Sequence, residues 1–340
     1  MSARLDFVIG EHDSLGFCRG RELGDVLREV CWWLGLLFLM FGERIWIVSQ
    51  RGLTGDLHWY LTPERSFQAT QLGFDKRGII AFIDLVPVEF RLPLLVLSVT
   101  TALWCLLAVF VSRFVGKGSV FWSSEAKLVA LGLCLCPYLA QLDMHLWRQQ
   151  VSLYFMLAGL LSMKLSNSAI LLLLASLFHE LALVGIAAKF LAGILSSYSA
   201  RFGVLVAFSG LIASAFFFLA FPVPVSLPNP LASLLLLTLF SAVSVFLCFF
   251  LPKFESWLAS LVSFLAVLIA IPIGMYLYGV ALGPATSGRS ISLGVTASLL
   301  GIYFVLMKVM QYRLRKPLGR YLLVGSGVLL NLSYGAQFLV

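Results

Sequence analysis

The sequence predicts an all-α polytopic membrane protein with about eleven transmembrane segments, one of them short and broken. Of the 340 residues, 60% are hydrophobic and only 12% are charged, against roughly 45–50% and about 25% in soluble domains. Apolar windows of about 20 residues, enough to cross a bilayer as helices, recur from near Cys31 to the last residue. Lys and Arg stand in short clusters between these windows, as topogenic charges do.

The apolar windows leave no room for a soluble domain of useful size, so we expect a single membrane domain over residues 1–340. Residues 1–29 are hydrophilic and of mixed charge, which predicts a cytoplasmic N-terminal segment and not a cleaved signal peptide. The net charge of +8 is not gathered on one basic face, which argues against nucleic acid as a partner. The six cysteines form no metal-ligand pattern, and neither a metal nor another cofactor is expected.

The first half of the chain predicts four crossings and one long outer segment. The crossings are expected at Leu27–Ser49, Leu92–Ser112, Leu128–Leu142 and Trp147–Met163. A hydrophilic outer loop over residues 50–91 separates the first two and is too long for a tight turn. A chain reversal is expected before the fourth crossing, which places Arg148 at the outer mouth of that helix.

The apolar run Ala169–Leu195 decides on which side every later loop lies. As one helix it would place the basic cluster Arg313–Arg320 outside, against the positive-inside rule. A break after Phe178 predicts instead a short segment Ser168–Phe178 and a returning helix His179–Leu195. With the N-terminus inside, the break puts sixteen of the 24 Lys and Arg residues on the cytoplasmic side and seven outside, with Arg44 left uncounted within the first helix.

The short segment spans only about 16 Å at the helical rise, so the broken backbone must lie where the protein shields it, as it does beside cavities. Further crossings are expected at Val204–Ala220, Leu231–Leu251, Trp257–Val280, Leu293–Gln311 and Tyr321–Leu339. This topology brings His179, Arg148, Arg289 and the loop Arg51–Tyr60 to one outer face.

Polar residues in the apolar stretch Asp143–Ala188 are the first candidates for a functional site, because such groups are costly at membrane depth. Arg148, followed by Gln149, offers a fork of donors suited to phosphate, although an arginine that snorkels to the interface is the plain alternative. His179 could act as a general base or donate to an oxyanion, or it could be an ordinary core residue. Glu180 is the second candidate base, and no HExxH motif follows, so zinc is not expected.

The outer loops supply the remaining candidates. Arg289 lies between Gly288 and Ser290 in a Gly/Ser-rich loop, where an exposed loop arginine is the alternative interpretation. The early loop combines acidic and aromatic side chains that suit sugar rings: Arg51, Asp56, Trp59 and Tyr60. Trp and Tyr also line membrane interfaces without any catalytic role. Outward-facing arginines beside lipid suggest an anionic amphiphile such as a lipid pyrophosphate as the ligand.

At these residues the sequence resembles the Wzy/EpsG-like polysaccharide polymerases of bacterial envelopes. The similar pieces are the outer-loop pattern R..TGD..WY from Arg51 to Tyr60, the RQQVSL helix start at Arg148, and the ASLFHELAL step at Phe178 and His179. Their order and spacing look like those of the family. The residue after the histidine departs from it, because the family often has a small or hydroxyl residue where this chain has Glu180.

The resemblance implies a GT-C-like fold in the bacterial inner membrane with a periplasmic active site. It implies a glycosyltransferase that joins oligosaccharide repeat units carried on undecaprenyl pyrophosphate, in O-antigen or exopolysaccharide synthesis, with a chain-length regulator as a candidate partner. Arg148 and Arg289 would hold the departing pyrophosphate, Asp56 and Tyr60 would bind sugar, and His179 would orient or deprotonate the acceptor hydroxyl. Whether His179 or Glu180 is the base stays open.

Three other functions fit parts of the pattern. An O-antigen ligase also uses arginines and a histidine beside a lipid pyrophosphate, but ligases usually have a longer late periplasmic loop than the one around Arg289. A flippase or transporter would use the broken helix as a gate and not as a catalytic wall. A membrane acyltransferase using His179 is the weakest of the three.

Overall fold

A computed structural model of the chain describes residues 23–52, 55–61, 74–115, 127, 130–132, 136–162, 165–179, 182 and 186. Within these ranges every regular element is an α-helix. The helices are α1 (Leu23–Arg51), α2 (Gly55–Leu61), α3 (Phe74–Asp84), α4 (Val88–Val115), α5 (Pro137–His145), α6 (Trp147–Leu161) and α7 (Leu165–Phe178). The all-helical part of the predicted fold class is confirmed, while the later crossings, their total number and the N-terminal segment lie outside the described residues.

Two helices are long and apolar enough to cross a membrane by length and composition, Val26–Gln50 in α1 and Val88–Phe110 in α4. Their mean hydropathies are 1.5 and 2.3. The α1 helix exposes large apolar side chains, with Phe38 exposed to 74%, and buries the charged Arg44 completely. A helix in water would turn these groups the other way, so the pattern indicates an outer face that meets lipid.

Contacts near both ends join α1 to the segment that leads into α5. Near the start of α1, the Lys127 ammonium donates to a Glu29 carboxylate oxygen at 2.5 Å. Near its end, Arg44 Nε donates to Asp143 Oδ2 at 2.9 Å. The contacts follow in the same order and at a similar spacing along both segments, from Glu29 to Arg44 in α1 and from Lys127 to Asp143 in the other. The two segments therefore run parallel.

The chain reverses at Leu146, the single residue between α5 and α6. Leu146 has φ −119° and ψ 41° and so leaves the helical conformation. Beyond it, the Tyr154 hydroxyl donates to Asp143 Oδ1 at 2.6 Å. In one continuous helix the Cα atoms of these two residues would lie about 16 Å apart, too far for this bond, so the chain bends sharply at Leu146. The bend lies at the position of the reversal predicted before Arg148.

Helices α6 and α7 pack closely and antiparallel. Ser152 Oγ in α6 donates to the carbonyl oxygen of Ala175 in α7 at 2.9 Å. Further along α6, a Cβ atom on Gly159 would lie 3.0 Å from Leu172 Cγ and 3.2 Å from the Ser168 carbonyl oxygen, both in α7. A Cβ atom here would require its neighbours to move by a few tenths of an ångström, so the glycine favours this close approach.

Helix α7 ends at Phe178, the position after which the sequence predicts a break. It begins at Leu165, three residues before the expected start, Ser168. After the break, the His179 carbonyl oxygen accepts a bond from the Ala182 N–H at 3.1 Å. The expected returning helix His179–Leu195 lies largely outside the described residues.

Four other predicted elements differ from the structure. The third crossing was expected to be an uninterrupted helix, but Cys136 is extended, with φ −91° and ψ 105°, and α5 starts at Pro137. Proline has no N–H for a helical bond and disfavours helical dihedrals in the residue before it. The outer segment 50–91 contains two helices, α2 and α3, and not only loop. α1 and α4 are longer than expected at both ends.

Candidate functional site

Arg148 lies in the first turn of α6, directly after the Leu146 corner. Its residue surface is only 5% exposed. The bend at Leu146 places Arg148 in the first turn, and the start of α6 packs against α4. A buried guanidinium keeps its charge and its planar fork of donors, so it can bind an anion that reaches the corner.

Gln149 and His179 meet across the α6–α7 pair. Gln149 Nε2 lies 3.4 Å from His179 Nε2. With the amide nitrogen as donor, the imidazole Nε2 must carry the lone pair. Gln149 Oε1 is buried and has no hydrogen-bond partner among the described residues. Rotating the amide by 180° would present this oxygen to a protonated Nε2, so the pair suits either protonation state of His179.

Trp147 anchors this end of the bundle. Its indole Nε1 lies 2.8 Å from the Leu95 carbonyl oxygen and 2.9 Å from Ser98 Oγ, both in α4. The ring makes edge contacts with Tyr60 and Phe178, at centroid distances of 5.3 and 5.8 Å. The neighbours of Arg148 and of His179 in sequence therefore pack on each other, which holds α2, α4, α6 and α7 together around the site.

Some of the predicted site residues come together here and others are not described. Arg148, Gln149 and His179, called the Arg148 cluster below, lie at one end of α6 and α7. Tyr60 is buried, and its ring contacts Trp147 beside the cluster. The remaining candidates lie outside the described residues, Glu180 and Arg289 entirely and Arg51, Asp56 and Trp59 with their side chains.

A second polar group, missed as a unit by sequence reasoning, lies behind the corner. The Asp143 network consists of Arg44, Asp143 and Tyr154, all fully buried. Arg44 donates to Asp143 Oδ2 through two nitrogens and to the Met40 carbonyl oxygen at 3.1 Å, while Tyr154 donates to Asp143 Oδ1. The available signal was the pair Glu43-Arg44 inside an apolar helix, because charges at that depth require partners.

An apolar groove opens beside the cluster, between α3, α4 and the end of α7. It has a volume of about 620 Å³, and Trp147 and Phe178 belong to its wall together with apolar residues such as Phe82, Leu94 and Leu177. Arg91 braces the α3–α4 corner at its edge, with Nε donating to the Val86 carbonyl oxygen at 2.9 Å. Trp147 and Phe178 directly precede Arg148 and His179 in the sequence.

The chemistry available at this end combines a fixed positive charge, an imidazole with an amide partner, and an apolar surface. Such a set can bind an anionic head group and accept or hold a proton. Among the described residues, no group of three or more His, Cys, Asp and Glu side chains could hold a metal ion.

Comparison of the chain with protein-family models, with curated proteins and with solved structures gives no match in any of the three.

Proposed function

We propose that the chain is a membrane glycosyltransferase that polymerises oligosaccharide repeat units linked to undecaprenyl pyrophosphate at the periplasmic face of the bacterial inner membrane. The observation that carries the proposal is the Arg148 cluster: a buried arginine in the first turn of α6, followed by Gln149, whose amide lies 3.4 Å from His179 Nε2. The resemblance of the same residues to Wzy/EpsG-like polymerases supports it.

Arg148 would stabilise the leaving group. When the bond between the anomeric carbon and the pyrophosphate oxygen breaks, negative charge develops on that oxygen. A guanidinium fork held in place before the reaction stabilises developing phosphate charge without reorganising. Arg289 would contribute a second fork from its outer loop.

His179 would take the proton from the acceptor hydroxyl. In the step, the hydroxyl oxygen of the acceptor sugar forms the new bond to the anomeric carbon, its proton passes to His179 Nε2, and the lipid pyrophosphate leaves. Nε2 can take this proton once the acceptor hydroxyl replaces the Gln149 N–H at its single lone pair, and the rotated Gln149 Oε1 can then accept a hydrogen bond from the protonated Nε2. Glu180, next in the chain, is the alternative base, and Asp56, Trp59, Tyr60 and Arg51 would line the sugar side.

Replacement of the arginine tests this function. In a bacterial strain with this chain as its sole polymerase, Arg148→Ala should abolish long polysaccharide chains and leave single repeat units, because the leaving group loses its positive partner. Arg148→Lys should restore part of the ladder, since it keeps the charge without the fork. The measurement is the chain-length ladder on a gel.

The matched control is Arg28→Ala. Arg28 is an exposed arginine near the start of α1, outside the Arg148 cluster. It should leave the ladder unchanged. A normal ladder in the Arg148→Ala strain, with the protein present at wild-type level, would refute the proposal. Chain growth from purified protein and lipid-linked repeat units tests the activity directly.

A lipid flippase is the second candidate, because an apolar groove beside polar residues also suits a lipid that moves past the protein. The two functions differ in their products. An enzyme forms a new glycosidic bond without vectorial transport, whereas a flippase carries labelled lipid across a liposome membrane and forms no bond. A ligase would instead transfer a finished chain to a different acceptor.

A further inference from the structure

Glu43 is a largely buried carboxyl at the edge of the Asp143 network. It directly precedes Arg44 in α1, and its Oε2 atom is buried and accepts no hydrogen bond within the described part of the chain. The Nη1 atom of Arg44 lies 3.7 Å from Oε2, which is beyond hydrogen-bond range. Because α1 is long and apolar enough to cross a membrane, an ionised Glu43 would lack the water or hydrogen bonds that a carboxylate requires.

The guanidinium of Arg44 is already bound to the other carboxyl. Its Nε and Nη2 atoms both donate to Asp143 Oδ2, and its Nη1 atom donates to the Met40 carbonyl oxygen. The Tyr154 hydroxyl donates to the second oxygen of Asp143 at 2.6 Å. These bonds stabilise a negative charge on Asp143, whereas Glu43 receives no bond from the same guanidinium.

The charges around Glu43 do not balance when both carboxyls are ionised. The charged groups that act on it within the described part of the chain are Arg44 on its own helix and Asp143 on α5. Helix α4 also packs against α1, and its residues 95–110 carry no charge, with the Cys105 thiol as their one group that titrates. Two carboxylates would therefore share one guanidinium, and like charges in one apolar site are not both ionised.

We propose that Glu43 is a proton-binding site within the membrane-spanning part of α1, occupied at neutral pH, and that Asp143 carries the single negative charge of the network. The proposal does not depend on the proposed function. Release of the proton would place a second negative charge beside Arg44. Glu43 would then compete with Asp143 for the guanidinium, and the tie between α1 and α5 would weaken, so the proton couples pH to the packing of these helices.

Infrared spectroscopy of the full-length protein in nanodiscs tests the protonation directly. A protonated carboxyl has a C=O stretching band at higher frequency than a carboxylate. Glu43→Gln has the shape of the protonated side chain and should fold, but it should lack one such band that the wild type shows at neutral pH. Isotopic labelling of the glutamate side-chain carboxyl carbons should shift this difference band, and labelling of aspartate should leave it in place.

Glu29→Gln is the matched control. Glu29 is also a buried glutamate of α1, but it has a cation of its own, because the Lys127 ammonium donates to its carboxylate at 2.5 Å. This variant should keep the wild-type band. Three results would overturn the proposal: an unchanged spectrum in Glu43→Gln, a difference band that shifts with aspartate labelling, or no protonated carboxyl in the wild type, which would leave a bound metal cation to balance the charge.

The pH dependence of unfolding gives a second measurement. Unfolding exposes Glu43 to water, where its carboxyl ionises at neutral pH, so the folded state holds one proton more than the unfolded state. The folding equilibrium constant of the wild type should therefore fall about tenfold more for each pH unit than that of Glu43→Gln, or about 1.4 kcal/mol, as pH rises from mildly acidic to neutral. Parallel pH dependence in the two proteins would also overturn the proposal.

Discussion

The Asp143 network and the Arg148 cluster are neighbours on either side of the Leu146 corner, yet their polar groups are satisfied to very different degrees. In the network, Asp143 accepts bonds on both oxygens, and Arg44 and Tyr154 are fully buried. In the cluster, the contact between Gln149 and His179 is a long 3.4 Å. Gln149 Oε1 accepts no bond within the described part of the chain.

The difference separates a structural role from a ligand-binding one. A buried network whose charges are matched holds helices in place and leaves nothing for a substrate to bind. A cluster with a long contact and a spare acceptor gains when a ligand completes it. Both groups look alike in the sequence, as polar residues in apolar surroundings, so only the geometry distinguishes them.

The largest expected effect concerns the cluster. His179→Ala should lower the rate of chain growth by about 100- to 10,000-fold, the usual contribution of a general base. The melting temperature should stay close to that of the wild type, because the Asp143 network does not include the imidazole. His58→Ala, an exposed histidine on α2, is the control and should retain full activity. A large fall in melting temperature for His179→Ala would show that His179 has a structural role, like the residues of the Asp143 network.

Replacement of a residue in the Asp143 network should instead lower the stability of the protein. Asp143→Ala breaks the buried ion pair and leaves Arg44 with only the Glu43 carboxylate, 3.7 Å away, as a counter-charge. Breaking such a pair costs about 3–5 kcal/mol in the free energy of unfolding. Denaturant unfolding of the purified protein in detergent measures the loss. Asp84→Ala removes an ion pair whose carboxylate is half exposed and should cost only about 0–1 kcal/mol. Equal stability of the two variants would show that the network is not the closed structure described above.

Gln149 gives a smaller and more specific test of the cluster. Gln149→Met removes one hydrogen bond to His179, worth about 0.5–1.5 kcal/mol, and should lower the rate about three- to tenfold. Gln149→Glu places a negative charge beside the imidazole and favours its protonated form. The base form then appears only at higher pH, so the acidic limb of the pH–rate profile should move to higher pH. An unshifted pH–rate profile would show that Gln149 takes no part in the proton transfer.

The smallest effect is expected for a double replacement in the network. Arg44→Met combined with Asp143→Leu removes both charges together, and apolar pairs of similar volume often replace buried ion pairs without loss of stability. Unfolding of the double variant should lie within about 1 kcal/mol of the wild type, and chain growth should persist. Loss of activity in a stable double variant would give the network a role in the reaction.

Much of the architecture follows from the sequence for local reasons. The break after Phe178 was found because the positive-inside rule acts on the whole chain, and the reversal before Arg148 because polar residues interrupt the apolar windows. The pairing of Arg44 with Asp143 joins residues far apart in the chain, and no local pattern contains it. Pro137 was a local signal for the break at Cys136. The break was missed because the third crossing was placed by apolar composition alone. Gln149 was a candidate, yet its contact with His179 depends on the register of two helices.

The Leu146 corner has an electrostatic consequence. Helix α6 begins directly after the corner, Leu146 provides no side-chain cap, and no acidic residue lies in the first turn. The positive end of the helix dipole therefore adds to the positive charge of Arg148, and the two together favour an anion at the corner. This arrangement of charges exists only in the folded state. Pyrophosphate should accordingly raise the melting temperature of the protein as its concentration rises, and high salt should reduce the effect.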